Sequence, residues 1–234
     1  MKLSPKKIIL VFLVPWLLIS SLGEFLKHDI IPKFSDPTDA KVIVLSASLP
    51  QPLSFVARHT WFAVSERNEP RFERWEVWQD SNVARESWGY VQKDLQPYYS
   101  GVGGGFSRIE SYFEGAVAET FISCLRTNSP SYKYREVYHR WPGPNSNTYT
   151  DYMLRLCSPI GVSLPATAIG KDYRGNIGFS STTEGTGFQI ETPILGFKVG
   201  LNEGIEIQVF AVTFGIDFLK PAFKIPFGTG RFGF

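Results

Sequence analysis

The sequence predicts an α+β fold, an antiparallel sheet with two main helices and a β-rich C-terminal part, on three observations. Apolar and aromatic residues alternate along SFVARHTWFAVSE and RFERWEVW, the two-residue period of strands joined by a short turn. Two stretches, Ser107 to Arg126 and Asn147 to Leu156, carry the helical period instead. From Thr192 to Phe234, apolar pieces such as GIEIQVFAVTFGIDF are broken by glycine, as strands are.

With 234 residues, 43% hydrophobic and 20% charged, the chain can bury a sizeable core, and disorder is not expected. A formal charge of +2 with no Lys/Arg stripe argues against nucleic acid as a partner. Gly101 to Gly105 read GVGGG without the Lys-Ser/Thr of a phosphate loop, so no nucleotide site is expected. Two cysteines and scattered histidines are too few for zinc, and no cofactor is expected. Cys124 and Cys157 form a disulfide in an exported protein or stay as buried thiols; the sequence leaves both open.

Lys2, Lys6 and Lys7 precede the apolar run Ile8 to Leu22, whose 15 residues are short for a span of ~20 but suit a signal peptide. Residues 1–26 are therefore read as a signal peptide or an uncleaved N-terminal membrane anchor. Residues 27–40 form a linker, and 41–234 a single α+β domain with a β-rich C-terminal extension. The expected place is outside the cytoplasm, on the periplasmic face of the inner membrane, anchored or soluble.

KVIVLSAS (41–48) reads as the first strand, and His59 falls in the middle of the second. On the third, Phe72, Arg74, Glu76 and Trp78 share a face, and the short Arg67 to Pro70 link makes the pairing antiparallel. Trp61, Trp75, Trp78 and Trp88 crowd one region and are expected in the core, with an aromatic-lined groove as the alternative. Residues 82–105 are turn-rich. In the first predicted helix Ile109, Phe113, Ala116, Val117, Phe121 and Leu125 share a face, Ser107 is a candidate cap, and Glu110 follows it by three. The second helix follows a rigid loop in WPGPNSNTYTDYMLRL and starts at Asn145 or Ser146, both good N-caps. Beyond Leu156 the Gly/Ser/Thr-rich stretch reads as surface loops. The last apolar ribbon is expected to pack on the domain or lie against a membrane or partner.

Chemistry-bearing candidates follow from these placements. Ser146 sits at the positive end of a helix, where a developing negative charge is favoured, but capping is the ordinary role. His59 is a candidate base or a hydrogen-bonded semi-buried histidine. Glu76 is placed to orient His59 across paired strands or to form an ion pair with Arg58 or Arg74. Asn145 and Asn147 are candidates for binding, the latter offering an amide to an oxyanion or to the loop backbone. Lys171 and Asp172 in IGKDY are candidate binding residues or a solvated ion pair at a turn, and His139 competes for the base role.

YREVYHRWPGPNSNTY, LPATAIGKDY, GLNEGIEIQVFAVTFGIDF and KPAFKIP, with HTWFAV and RWEVW upstream, resemble an uncharacterised bacterial family known as domain of unknown function 3750. That resemblance covers nearly all of the chain after the signal segment and implies membership without a reaction. A second resemblance is to circularly permuted papain-like hydrolases and acyltransferases, where a strand bearing His precedes a helix opened by a nucleophilic Cys. It implies His59 as base, Glu76 as its orienting group and Ser146 where the Cys would stand. A serine hydroxyl there needs far more help from a base than a thiol does. Three readings remain: a non-catalytic binder of a cell-envelope component such as a peptide, glycan or membrane lipid, a serine-based amide or ester hydrolase or acyltransferase, and a membrane-associated structural protein.

Overall fold

A computed structural model describes residues 32–103 and 107–233; the expected signal peptide or anchor, 1–26, lies outside them. The period-two segments form β1 (Lys41–Ser48), β2 (Arg58–Ser65) and β3 (Glu73–Val77), joined by β4 (Glu86–Trp88), β5 (Val91–Lys93) and β6 (Ser107–Glu114). They make one antiparallel sheet in the order β4-β5-β3-β2-β1-β6. Short strands β4 and β5 lie in the stretch expected to be turn-rich.

Alternation gives this first sheet two apolar faces. Val42, Val44, Phe62, Val64, Trp75, Val77 and Phe113 line one, under α1 (Ala116–Asn128) and α2 (Ser146–Cys157). Ile43, Leu45, Ala47, Trp61 and Ala63 line the other, beneath a segment that brings Tyr99 and Val102 onto it. Phe121 of α1 meets Phe62 and Phe113 edge-on, with ring centroids at 5.1 and 5.5 Å.

The helix expected from Ser107 to Arg126 is a correction: its first half is strand β6, and α1 starts only at Ala116. Ile109 and Phe113 are four apart, which reads as helical, but β1 needs a partner on its free side, and Ala47 to Lys41 pair with Ser107 to Glu114. An irregular register between Val44 and Leu45 sends Ile109 and Phe113 to opposite faces of the sheet. Gly115, at φ 69°, makes the strand-to-helix corner, and its N–H donates to Ala40 O. Ser107 caps nothing; its hydroxyl bonds Tyr99 O.

Cys124 and Cys157 are joined, with Cα atoms 5.5 Å apart, and clasp α1 to α2. The chain then forms a second antiparallel sheet, a meander of β7 (Gly178–Ser181), β8 (Gly187–Glu191), β9 (Leu195–Gly200), β10 (Gly204–Val209), β11 (Val212–Asp217), β12 (Ala222–Lys224) and β13 (Arg231–Gly233). Among the described residues, two α-helices, two antiparallel sheets and a β-rich C-terminal part make an α+β fold. No helix among the described residues is long and apolar enough to cross a membrane.

Candidate functional site

His59 sits in β2 and Glu76 in β3, and the sequence pairing holds: His59 Nε2 lies 2.6 Å from Glu76 Oε2. Arg74, rather than Arg58, is the cation beside Glu76, donating from a terminal nitrogen at 2.9 Å. Burial alone raises the Glu76 pKa, but the His59 hydrogen bond and charge, then Arg74, outweigh it and hold the carboxyl below its usual range. The Arg74 guanidinium stacks over Trp61 at 4.1 Å and donates to Pro97 O and Ser100 O. His59 packs beside Trp61 and Trp78. The cluster pins the 97–100 loop to the sheet, and the crowded tryptophans are largely core, as expected.

Ser146 opens α2, and Asn145 is its N-cap. The Asn145 side chain accepts from the N–H groups of Asn147 and Thr148, while the Thr148 hydroxyl accepts from Asn145 N, a complete capping box. Asn147 turns its amide to protein backbone: Nδ2 donates to Arg58 O and Ile169 O, and Oδ1 accepts from Thr60. These bonds, with that of Thr150 to Thr60 O, seat α2 on the β2 face that carries Thr60 and Phe62. His59, one residue along β2, points to the opposite face with Trp61. The sheet therefore stands between His59 and the helix that Ser146 opens, and Ser146 Oγ makes no hydrogen bond to any described residue. His139 is positioned through its backbone, which donates to Pro144 O.

Lys171 and Asp172 are not a solvated turn pair. Both are buried, 2% and 4% exposed, in a charge network between α2 and the second sheet. Lys171 Nζ contacts Asp172 and lies 3.1 Å from Glu206. Lys198 bridges Asp172 at 2.9 Å and Glu206 at 3.2 Å, and Lys224 reaches Glu206 at 2.6 Å. Arg155 and Arg174 each meet Asp151 at 2.7 Å, and Arg174 meets Glu191 at 2.8 Å. Burial raises the pKa values of Asp172 and Glu206, but Lys171 and then Lys198 dominate and hold both well below the carboxylate range. Glu191 is the exception, raised to about 7 by burial and then by the Asp172 charge, which Arg174 and Arg155 do not fully offset. Apart from Glu191 Oε1, which has no hydrogen-bond partner among the described residues, the network pairs its charges internally, and so the Lys171-Asp172 dipeptide can be buried.

This inward charge inverts the second sheet. Gln189, Glu191, Lys198, Glu206, Gln208, Thr213 and Asp217 point inward and are buried. The alternate positions point out, and apart from Ser181 all fourteen are apolar. Register aligns Phe179, Ile190, Phe197, Ile207 and Phe214 in one row across five strands. A second row runs through Phe188, Val199, Ile205, Ile216, Phe223 and Phe232. Phe179 is 73% exposed, Phe223 57% and Ile207 51%. Large aromatic side chains bury about 150–250 Å² each, so this half-exposed face offers on the order of 1,000 Å², against 300–600 Å² for an ordinary largest patch. From the sequence this ribbon was expected to pack on the domain or to lie against a membrane or partner; its charged side packs inward and its apolar side faces out.

These features define an α+β protein whose second sheet turns its charges in and its apolar side chains out. Residues 39–173 match the family described as protein of unknown function (DUF3750), and the chain belongs to that family. The match ends at Tyr173, before the second sheet begins. No curated protein matches the chain, and no solved structure does. The papain-like resemblance thus finds no counterpart among the matches, and the sheet between His59 and α2 gives it no support.

Proposed function

We propose that this chain is a non-catalytic envelope protein that binds the lipid bilayer through the outer face of its second sheet. The carrying observation is the apolar outer surface of β7 to β13. Seven strands at ~4.8 Å spacing are ~29 Å wide, whereas a helix is ~10–12 Å across, so no single helix of this chain would cover the face. A protein partner is a poorer occupant, because protein interfaces carry about one hydrogen bond per 100–200 Å². Here Ser181 is the only polar side chain among the outward strand positions. Acyl chains ask for no hydrogen bonds. The basic, apolar N-terminal segment and the disulfide support a place on the outer side of a membrane. A serine-based hydrolase is disfavoured, since the proposed base and nucleophile lie on opposite sides of the first sheet.

Depth-dependent quenching tests the reading. With both native cysteines paired, Phe214→Cys gives a single thiol for an environment-sensitive dye. On vesicles containing brominated lipids the dye is expected to be quenched, whereas an N-terminal anchor alone would leave it in water. An unquenched dye on vesicle-bound protein overturns the proposal. A blue shift that depends on protein concentration without lipid would assign the face to a second copy of the chain.

A further inference from the structure

We propose that the cavity between β6 and the nearby end of the second sheet binds the headgroup phosphate of an anionic phospholipid; this rests on the bilayer reading above. The cavity holds about 1110 Å³, and residues 108–112 of β6 form one wall. The turns after β7, β9 and β11 contribute Glu184, Asn202, Leu219 and Lys220. Its chemistry is cationic. Arg108 is matched by Glu110 at 2.7 Å and Arg231 by Asp217 at 2.6 Å. Lys33 and Lys220 also line it, and neither enters an ion pair with a described carboxylate, leaving Glu184 as the opposing charge.

Ser163 also lines the cavity, and its buried hydroxyl has no hydrogen-bond partner among the described residues. The ammonium groups of Lys33 and Lys220 would offset the charge of a phosphate held there. The cavity lining also adjoins exposed apolar residues along the chain. Leu219, at 57% exposure, continues the outer apolar surface, and Lys220 is the next residue. Arg231 likewise precedes Phe232 of the outer row. A lipid with its tail along the apolar face thereby brings its headgroup to the basic side of the same rim.

Full-length protein is tested on vesicles of phosphatidylcholine alone and of phosphatidylcholine mixed with phosphatidylglycerol. The double variant Lys33→Ala/Lys220→Ala is expected to lose at least about tenfold in affinity for the mixed vesicles and to keep its affinity for phosphatidylcholine. Lys133→Ala, away from the cavity, is expected to change neither. Glycerol phosphate titrated without vesicles should bind the wild type, and the double variant much less, by ligand-observed NMR. Equal affinity of wild type for the two vesicle types, or an unaffected double variant, overturns the proposal. Inorganic phosphate binding as tightly as glycerol phosphate would give the site to the free ion and overturn the lipid as ligand. Glycerol phosphate binding without binding to either vesicle would instead bring down the bilayer reading, and the lipid source with it.

Discussion

Asn145 carries more of the α2 N-terminus than its neighbour Ser146. It satisfies two first-turn N–H groups and receives the reciprocal Thr148 bond, whereas the Ser146 hydroxyl has no hydrogen bond to a described residue. Asn145→Ala is expected to cost about 1–2 kcal/mol in urea unfolding, and Ser146→Ala less than about 0.5 kcal/mol. A larger loss at Ser146 would mean that its hydroxyl has a role the geometry misses. The cap was legible in the sequence because its partners lie within three residues. The same holds for Glu76 and His59, whose strands are joined by a short link. Asn147 was legible only as a choice between backbone and oxyanion, since its acceptor, Arg58 O, lies 89 residues away in sequence. Burial of Lys171 and Asp172 was illegible for a like reason: Lys198 and Glu206 approach only when β9 and β10 fold against them.

The elements differ in what holds them. α1 and α2 pack by apolar contact and are clasped by a disulfide across a separation of 33 residues. Replacing both cysteines by Ala is expected to cost about 3–4 kcal/mol from loop-closure entropy, measured by denaturant unfolding of the variant. The second sheet is held to α2 largely by buried charge, so its docking should follow pH. Asp151, Asp172 and Glu206 have depressed pKa values, so their stabilisation is present above pH ~4 and is lost as pH falls through the folded values. Glu191 works the other way. Its folded pKa of about 7 exceeds the ordinary 4.5, so the native state loses stability relative to the unfolded chain as pH rises between them. Glu191→Gln, measured against wild type, should therefore gain stability from pH 5 to pH 8, by roughly 2 to 3 kcal/mol. A difference that stays flat across that range would mean Arg174 compensates Glu191 fully. Helical period misread β6 for a related reason of partnership: pairing with β1 outweighs the local pattern.

At the scale of the molecule, the α+β class was legible because two periods coexist in one chain. The inversion of the second sheet was not, since alternation alone is symmetric between inside and outside. What breaks the symmetry is the body it packs on, which presents Asp151, Arg155 and Arg174 rather than apolar residues. The double variant Phe197→Glu/Ile207→Glu places two carboxylates on the outer face, where each native side chain is already 40% or more exposed. It should keep the fold by circular dichroism and lower vesicle affinity by at least about a hundredfold, given about 1.5 kcal/mol or more per lost apolar anchor. Retained affinity would point to the N-terminal segment as the sole attachment.

The inverted sheet also reverses which positions tolerate change. In an ordinary sheet the inward residues interlock with a close-packed core, and the outward ones vary freely. Here the outward residues would meet a fluid of hydrocarbon chains, which has no fixed shape to match, so exchanges of Phe, Ile, Leu and Val among β7 to β13 should be nearly neutral. The inward positions admit no such freedom. Shortening Glu206 to Asp would pull one carboxylate away from Lys171, Lys198 and Lys224 at once. A family of functional variants of this chain would thus keep hydrophobicity without identity on one side of the sheet, and identity with charge on the other.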